Sequence, residues 1–126
     1  MKKIIETSAA PGAIGPYSQA VDAGAFVYTS GQLPIDPVTG QMPADITGQT
    51  KQSLENVSAI LEAAGLSMKN VVKTMVFLAD MGDFQAMNEV YSQYFSAPYP
   101  ARSAVAVKSL PKNALVEIEV IAARAE

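Results

Sequence analysis

The chain contains neither histidine nor cysteine, and these two absences exclude several kinds of active site. A thiolate nucleophile, a Ser-His-Asp triad and the common Cys/His zinc or iron-sulfur centres all require residues that are missing. Disulfide bonds are excluded for the same reason. Any proton transfer must therefore use Glu, Asp, Lys, Tyr, the backbone or water.

Long hydrophobic runs and an excess of basic charge are also absent. No stretch approaches the roughly 18 apolar residues of a membrane-spanning helix. The 12 acidic residues outnumber the 9 basic ones, so no basic face for phosphate groups is expected. We therefore expect neither a membrane nor a nucleic acid as a partner. Residues 1–15 do not resemble a secretion signal, because Glu6 interrupts their apolar run, and we expect a cytoplasmic protein.

The 126 residues are 49% hydrophobic, which is enough to build one core, and we expect a single domain over residues 1–126. The alternation of apolar and polar residues predicts the element order β-β-β-α-β-α-β-β, an α+β fold. Strands are predicted at residues 3–7, 18–22, 26–30, 71–78, 101–107 and 115–123. One helix is predicted at 49–64 with a cap at Asp45 or Thr47, and a second is capped by Asp83 and carries residues 84–95.

The last two predicted strands contain charged residues in apolar sequence, namely Arg102, Glu117 and Glu119. An ionised side chain in the interior of a sheet requires a partner. If these two strands pair, their alternation allows the charges to meet. Two interpretations stay open at this point: a structural ion pair, or an arginine that binds the carboxylate of a ligand beside a glutamate whose pKa is raised.

The same two strands also predict self-association. Ala104, Ala106 and Ile121 are expected to share a face with the charged residues and still to be buried, although two helices cover only one face of the sheet. A second copy of the chain would cover the other face. Arg102 and Glu117 would then lie at or near a subunit boundary, where pockets often form.

Four further positions are ambiguous when they are considered one at a time. Asn88 lies on an otherwise aromatic helix face, and its amide binds either a ligand or backbone at a strand end. Tyr17 packs or faces a ligand, and Ser30 beside Gly31 caps a turn or lines a pocket. Lys73 is a Schiff-base candidate only if it is buried, and a lysine reaching solvent is the simpler interpretation.

Several segments carry a more specific signal when they are considered together. In chain order they are Gly15-Pro16-Tyr17-Ser18-Gln19, Thr29-Ser30-Gly31-Gln32, Gln52-Ser53-Leu54-Glu55-Asn56-Val57, Val72-Lys73-Thr74, Asn88-Glu89-Val90-Tyr91, Pro100-Ala101-Arg102-Ser103 and Glu117-Ile118-Glu119. This series resembles the RidA family, also called YjgF/UK114, over essentially the whole chain.

The resemblance implies a chorismate-mutase-like fold with a six-stranded mixed sheet, two helices on one face, and a homotrimer with clefts between subunits. In the archetypal branch of the family it implies an enamine/imine deaminase. Such an enzyme hydrolyses 2-iminobutanoate and 2-iminopropanoate, which derive from intermediates such as 2-aminoacrylate, to 2-keto acids and ammonia. Because an imine carbon is already electrophilic, neither a metal nor an organic cofactor is expected.

The motifs also imply roles for individual residues. Arg102 would bind the carboxylate of the imino acid, and Glu117 would position or activate water and move protons. The other substrate-binding positions implied by the motifs are Tyr17, Ser30, Gly31 and Asn88. Two positions depart from the family pattern: Ala104 stands where many relatives have cysteine, and the connection at residues 95–98 is short.

Two rival functions stay open. The same pocket would serve a regulatory trimer that binds small carboxylates such as 2-keto acids without turnover. Reports on the wider family also suggest a ribonuclease or translation inhibitor, against which the acidic charge and the lack of histidine both count. The preferred imino acid, the enzyme that supplies it and the role of Glu119 are not predicted.

Overall fold

Six strands form one mixed sheet, and two helices pack on one of its faces. The computed structural model describes residues 2–124. The strands are β1 (Lys3–Ile5), β2 (Ala20–Asp22), β3 (Phe26–Thr29), β4 (Val71–Leu78), β5 (Ala101–Ala106) and β6 (Val116–Ala123), and the helices are α1 (Ile46–Ala63) and α2 (Phe84–Tyr91). The predicted element order and fold class are confirmed. Neither helix has the length and hydropathy needed to cross a membrane.

Helix α1 begins and ends at the predicted signals. The carboxylate of Asp45 accepts a hydrogen bond of 2.9 Å from the backbone N–H of Gly48, which caps the first turn. After the helix, Gly65 has a φ of +80°, and the N–H of Leu66 donates back to the carbonyl of Leu61. The apolar residues that α1 buries against the sheet include Leu54, Val57, Ile60 and Leu61.

Helix α2 begins at Phe84 directly after Asp83, as predicted, but without the predicted side-chain cap. Asp83 makes no capping hydrogen bond, and Asp80 instead accepts a bond of 2.7 Å from the N–H of Gly82 in the preceding 3₁₀ turn. Helix α2 ends at Tyr91, and residues 92–94 continue as turns. The aromatic face predicted for a longer helix is thus divided between α2 and the turns that follow it.

The strand order is β1-β2-β3-β6-β4-β5, so β5 and β6 do not pair, and the condition under which their charges would meet is not fulfilled. Strand β5 pairs in parallel with β4 alone, because α2 connects the two as a crossover. Strand β6 lies on the other side of β4 and is antiparallel to both β3 and β4. The strands that carry the charges are therefore separated by the width of β4.

The charged residues also lie on opposite faces of the sheet, contrary to the shared face expected from the sequence. Val116, Ile118 and Val120 are buried towards the helices, so Glu117 and Glu119 lie on the other face. Arg102 lies on the helix-bearing face, where it contacts α2, and Ala104, two residues further on, packs against the core. We call the second face, without helices, the open face. Its apolar residues are Phe26, Tyr28, Met75, Phe77, Val105 and Ile121.

An ion pair between Asp22 and Arg124 connects β2 to the residue that follows β6. The backbone N–H of Gly24 donates to the same carboxylate at 2.9 Å, and Arg124 also donates to the carbonyl of Ala64 at 3.4 Å. These contacts hold the pKa of Asp22 below its usual range, with the Gly24 hydrogen bond contributing most. The ionised carboxylate therefore stabilises the folded state.

We expect Asp22→Asn to lower the melting temperature at neutral pH, because it removes the carboxylate that Gly24 and Arg124 bind. A group whose pKa is lower in the folded state stabilises above its unfolded pKa and stops doing so as the pH falls through the folded value. The difference in melting temperature should thus shrink below about pH 4. Calorimetry as a function of pH measures it, with Asp83→Asn as the control because that carboxylate makes no capping bond. A difference that stays constant down to acid pH contradicts the assignment.

Candidate functional site

Buried polar residues of α1 hold the segments that run beside it: Gln49 binds the backbone of Pro43 and Leu115, and Ser53 and Asn56 bind the loop at residues 32–35. Gln49, Ser53 and Asn56 follow one another at helical spacing and lie on one side of α1. The hydroxyl of Ser53 donates to the carbonyl of Gln32 at 2.7 Å. The amide of Asn56 donates to the carbonyls of Leu33 and Ile35 at 3.0 and 2.9 Å. These bonds satisfy buried backbone groups and fix the course of residues 32–35.

A groove with a volume of about 810 Å³ lies beside this loop. It brings together four of the predicted site residues, and we call it the Glu117 groove. Its polar lining includes Tyr17, Ser30, Gly31, Lys112 and Glu117. Lys112 was not predicted from the sequence; it has a left-handed backbone conformation with a φ of +56° and supplies a positive charge.

Gly31 is in direct contact with the carboxylate of Glu117. A Cβ atom placed on Gly31 would lie 2.0 Å from Glu117 Oε2 and 2.7 Å from its Cδ. No other side chain fits there unless Glu117 moves. The glycine therefore allows this close approach, and both residues line the groove.

The carboxylate of Glu117 is partly buried, and no donor within residues 2–124 forms a hydrogen bond with it. Burial raises the pKa of Glu117, and the negative charge of nearby Glu119 raises it further. A carboxyl group with a raised pKa in a groove holds a proton more readily than an ordinary glutamate does, which suits it to accept and return a proton during a reaction.

Tyr17 and Ser30 reach the groove from an ordered part of the backbone. The buried side chain of Gln19 donates to the carbonyls of Thr7 and Pro11 at 3.0 and 2.7 Å and accepts from the N–H of Thr7 at 2.7 Å. This contact anchors the loop that leads to Tyr17. The hydroxyl of Ser30 donates its proton to the carbonyl of Ser18 at 2.6 Å. Towards any other group, the hydroxyl oxygen can therefore act only as an acceptor.

Arg102 lies on the helix-bearing face of the sheet in a second arrangement, which we call the Arg102 cradle. Its guanidinium carbon is 4.7 Å from the ring centre of Tyr91 and 5.3 Å from that of Phe84. Arg102 Nη1 donates to Asn88 Oδ1 at 2.6 Å. Phe84, Asn88 and Tyr91 follow the i, i+4, i+7 spacing of one helix face, so α2 supplies all three contacts.

The cradle supports the guanidinium of Arg102 without neutralising it. Asn88 is uncharged, and no carboxylate within residues 2–124 lies within salt-bridge distance of Arg102. Of the two interpretations left open by the sequence, the structural ion pair between Arg102 and Glu117 or Glu119 is therefore not formed among the described residues. The amide oxygen of Asn88 is bound by Arg102, a partner that neither sequence interpretation named. The remaining guanidinium N–H groups have no acceptor among the described residues.

The structure thus divides the predicted site residues into two half-sites. Tyr17, Ser30, Gly31 and Glu117 meet in the Glu117 groove, whereas Arg102 and Asn88 meet in the cradle. Lys73 belongs to neither half-site and lies partly buried on the open face, where its register partner on β6 is Ile121. The role of the two aromatic rings in the cradle was missed, since aromatic residues at helical spacing are the usual pattern of a core.

The family model described as endoribonuclease L-PSP matches residues 7–124 of the chain. The chain is 57% identical to the putative reactive intermediate deaminase TdcF of Escherichia coli over 98% of both proteins. It is 52% identical to the 2-iminobutanoate/2-iminopropanoate deaminase of the same organism, over 98% of the chain and 99% of that enzyme.

Solved structures agree with these relationships. The crystal structure of E. coli TdcF with bound serine superimposes with a TM-score of 0.95 at 56% identity and covers 98% of the chain and 99% of TdcF. Yeast Mmf1 gives a TM-score of 0.95 at 42% identity, covering 99% of the chain and all of Mmf1. The fold is therefore shared across relatives of quite different sequence.

We expect Glu117 to titrate above the usual pKa of a glutamate, which carbon-detected NMR of the side-chain carboxyl measures directly. Glu119→Gln should lower the Glu117 pKa, because it removes the like charge, but should not restore the ordinary value, because burial is the larger cause. Glu62→Gln removes an exposed glutamate from α1 and serves as the control. A Glu117 pKa at or below 4.5 contradicts the description of this groove.

Proposed function

Because the chain belongs to the endoribonuclease L-PSP family, the family of YjgF and RidA, we propose that it is a 2-iminobutanoate/2-iminopropanoate deaminase. The observation that carries this proposal is the guanidinium of Arg102, which is held by uncharged groups and has unused N–H donors. Such a group binds a planar carboxylate through two parallel charge-assisted hydrogen bonds. A small 2-imino acid offers that carboxylate directly beside its reactive carbon.

The reaction consumes one water molecule. The water oxygen forms a bond to the imine carbon while the C=N double bond becomes a single bond and the nitrogen takes up a proton. The C–N bond of this carbinolamine then breaks, ammonia leaves, and the hydroxyl gives up its proton to become the carbonyl of the 2-keto acid. Glu117 would accept the proton of the attacking water and return it to nitrogen, for which a raised pKa is appropriate.

The two half-sites have to come from different subunits in this proposal. Arg102 and Glu117 lie on opposite faces of one sheet, so a single chain cannot present both to one small substrate. The open face exposes Phe26, Tyr28 and Val105 by 41, 45 and 41%, which is an unusual amount of apolar surface for a sheet with no cover. In the proposed homotrimer this face packs between subunits, and each cleft combines the Glu117 groove of one chain with the Arg102 cradle of its neighbour.

The first test is the hydrolysis of imino acids generated in the assay by an amino-acid oxidase, with semicarbazide trapping what remains. We expect the wild type to remove the imine. Arg102→Ala should reduce kcat/KM by about a hundredfold or more, because charge-assisted hydrogen bonds to the carboxylate are lost. Glu117→Gln should reduce kcat by about 10²- to 10⁴-fold, the usual contribution of a general acid–base.

Arg102→Lys and Glu62→Gln are the matched controls for these variants. Lysine keeps the charge but not the planar fork, so Arg102→Lys should retain only part of the activity. Glu62→Gln should behave as the wild type. A wild type that binds 2-oxobutanoate but releases no ammonia contradicts the deaminase and supports a regulatory trimer that binds small carboxylates, which the bound serine in TdcF makes the leading alternative.

A second test asks whether each site spans two chains. Arg102→Ala and Glu117→Gln chains, each inactive alone, are mixed in equal amounts by unfolding and refolding. Random mixed trimers should regain about a quarter of the wild-type activity, because that share of the interfaces pairs an intact Arg102 with an intact Glu117.

Native mass spectrometry of the mixture confirms that mixed oligomers have formed. Wild-type chains treated in the same way give the reference activity. If mixed trimers are present and the activity stays at the level of the unmixed variants, the two residues do not complete one site across the subunit boundary.

A further inference from the structure

Thr74 and Tyr91 form a hydrogen-bonded pair directly behind Arg102. The parallel register of β4 and β5 pairs Thr74 with Arg102, so the two side chains are neighbours on the helix-bearing face. The hydroxyl oxygens of Thr74 and Tyr91 are 2.8 Å apart and share one hydrogen bond. Thr74 is 0% and Tyr91 6% exposed, so water does not compete readily for this bond.

The ring of Tyr91 connects this bond to Arg102. Its face lies 4.7 Å from the guanidinium carbon, and the ring of Phe95 packs against it at 4.6 Å. The Tyr91 hydroxyl keeps its proton, because burial raises its pKa. With its hydroxyl end fixed to Thr74 and its side supported by Phe95, the ring has little freedom to tilt.

A guanidinium donates two parallel hydrogen bonds to a carboxylate only when its plane is correctly oriented. The hydrogen bond from Arg102 Nη1 to Asn88 fixes the position of one guanidinium nitrogen, but the guanidinium plane can still rotate about that contact. The ring of Tyr91 restricts this rotation, since cation–π attraction favours the guanidinium over the ring face. We infer that the Thr74–Tyr91 hydrogen bond sets the orientation of Arg102, which makes Thr74 and Tyr91 positioning residues for carboxylate binding.

This inference rests on the proposed function only for the identity of the carboxylate. The test compares Tyr91→Phe, Thr74→Val and the double variant with the wild type by calorimetric titration with 2-oxobutanoate. Each single change should weaken binding about fivefold, the loss expected for one neutral hydrogen bond. Since both changes remove the same bond, the double variant should bind no more weakly than either single one.

Kinetics distinguish positioning from general damage. KM should rise in both single variants while kcat is retained, because Glu117 and the water are unaffected. In an Arg102→Ala background the Tyr91→Phe change should have no further effect on binding. Tyr94→Phe is the matched control: it also removes one tyrosine hydroxyl from a hydrogen bond, to Glu55, but at the surface away from Arg102.

A ligand-free measurement keeps the inference testable if the proposed function fails. The Nε–H group of Arg102, assigned by its loss in Arg102→Lys, should show a high NMR order parameter in the wild type and a lower one in Tyr91→Phe and Thr74→Val. Unchanged order in both variants overturns the inference. A wild type that neither hydrolyses imines nor binds 2-oxobutanoate overturns the proposed function instead, and the order parameters still decide the role of Thr74 and Tyr91.

Discussion

Successive side chains of a β-strand point to opposite faces of the sheet, and this alternation controls where each charge of the molecule lies. On β6 the buried residues Val116, Ile118 and Val120 point towards the helices. The side chain of Glu117, which lies between them in sequence, must therefore lie on the open face. On β5 the register with β4 places Arg102 beside Thr74 on the face that the helices cover. A shift of one residue in either strand would expose the core and exchange the two faces. The same strand registers that bury the core therefore also place Arg102 and Glu117 on opposite faces of the sheet.

Much of the fold could be predicted from the sequence because its signals are local. The mainly apolar and β-branched sequence of β4 predicted Val71–Leu78 at its observed bounds, and the cap at Asp45 and the stop at Gly65 identified α1. The order of the strands is not a local property. Consecutive strands often pair, but here the crossover through α2 places β5 along one edge of β4, and β6 pairs with the other edge.

The residues of the candidate site remain predictions from the sequence, and their arrangement in the structure differs from the one that the sequence suggested. Arg102, Asn88 and Glu117 stand out in sequence because charged and polar side chains interrupt apolar patterns. Their partners depend on strand pairing and packing, so the sequence left an ion pair open where the structure has contacts of Arg102 with uncharged groups of α2. The positioning role inferred for Thr74 and Tyr91 could not be predicted from either residue alone, although both lie in segments that carry the family resemblance, because a threonine in a strand and a tyrosine on a helix are ordinary core residues.

Most of the buried polar side chains lie next to one of the two half-sites. The stability of the fold alone does not require them to be concentrated there. Gln19 anchors the loop before Tyr17, while Ser53 and Asn56 fix the loop after Gly31. A buried hydrogen bond contributes little net stability, but removing one partner is costly, so such bonds permit few alternative backbone positions. The groove and the cradle are therefore rigid before any ligand arrives. A binding site whose groups are already oriented loses less entropy when a small ligand binds, and this matters most for a substrate with few atoms to contact.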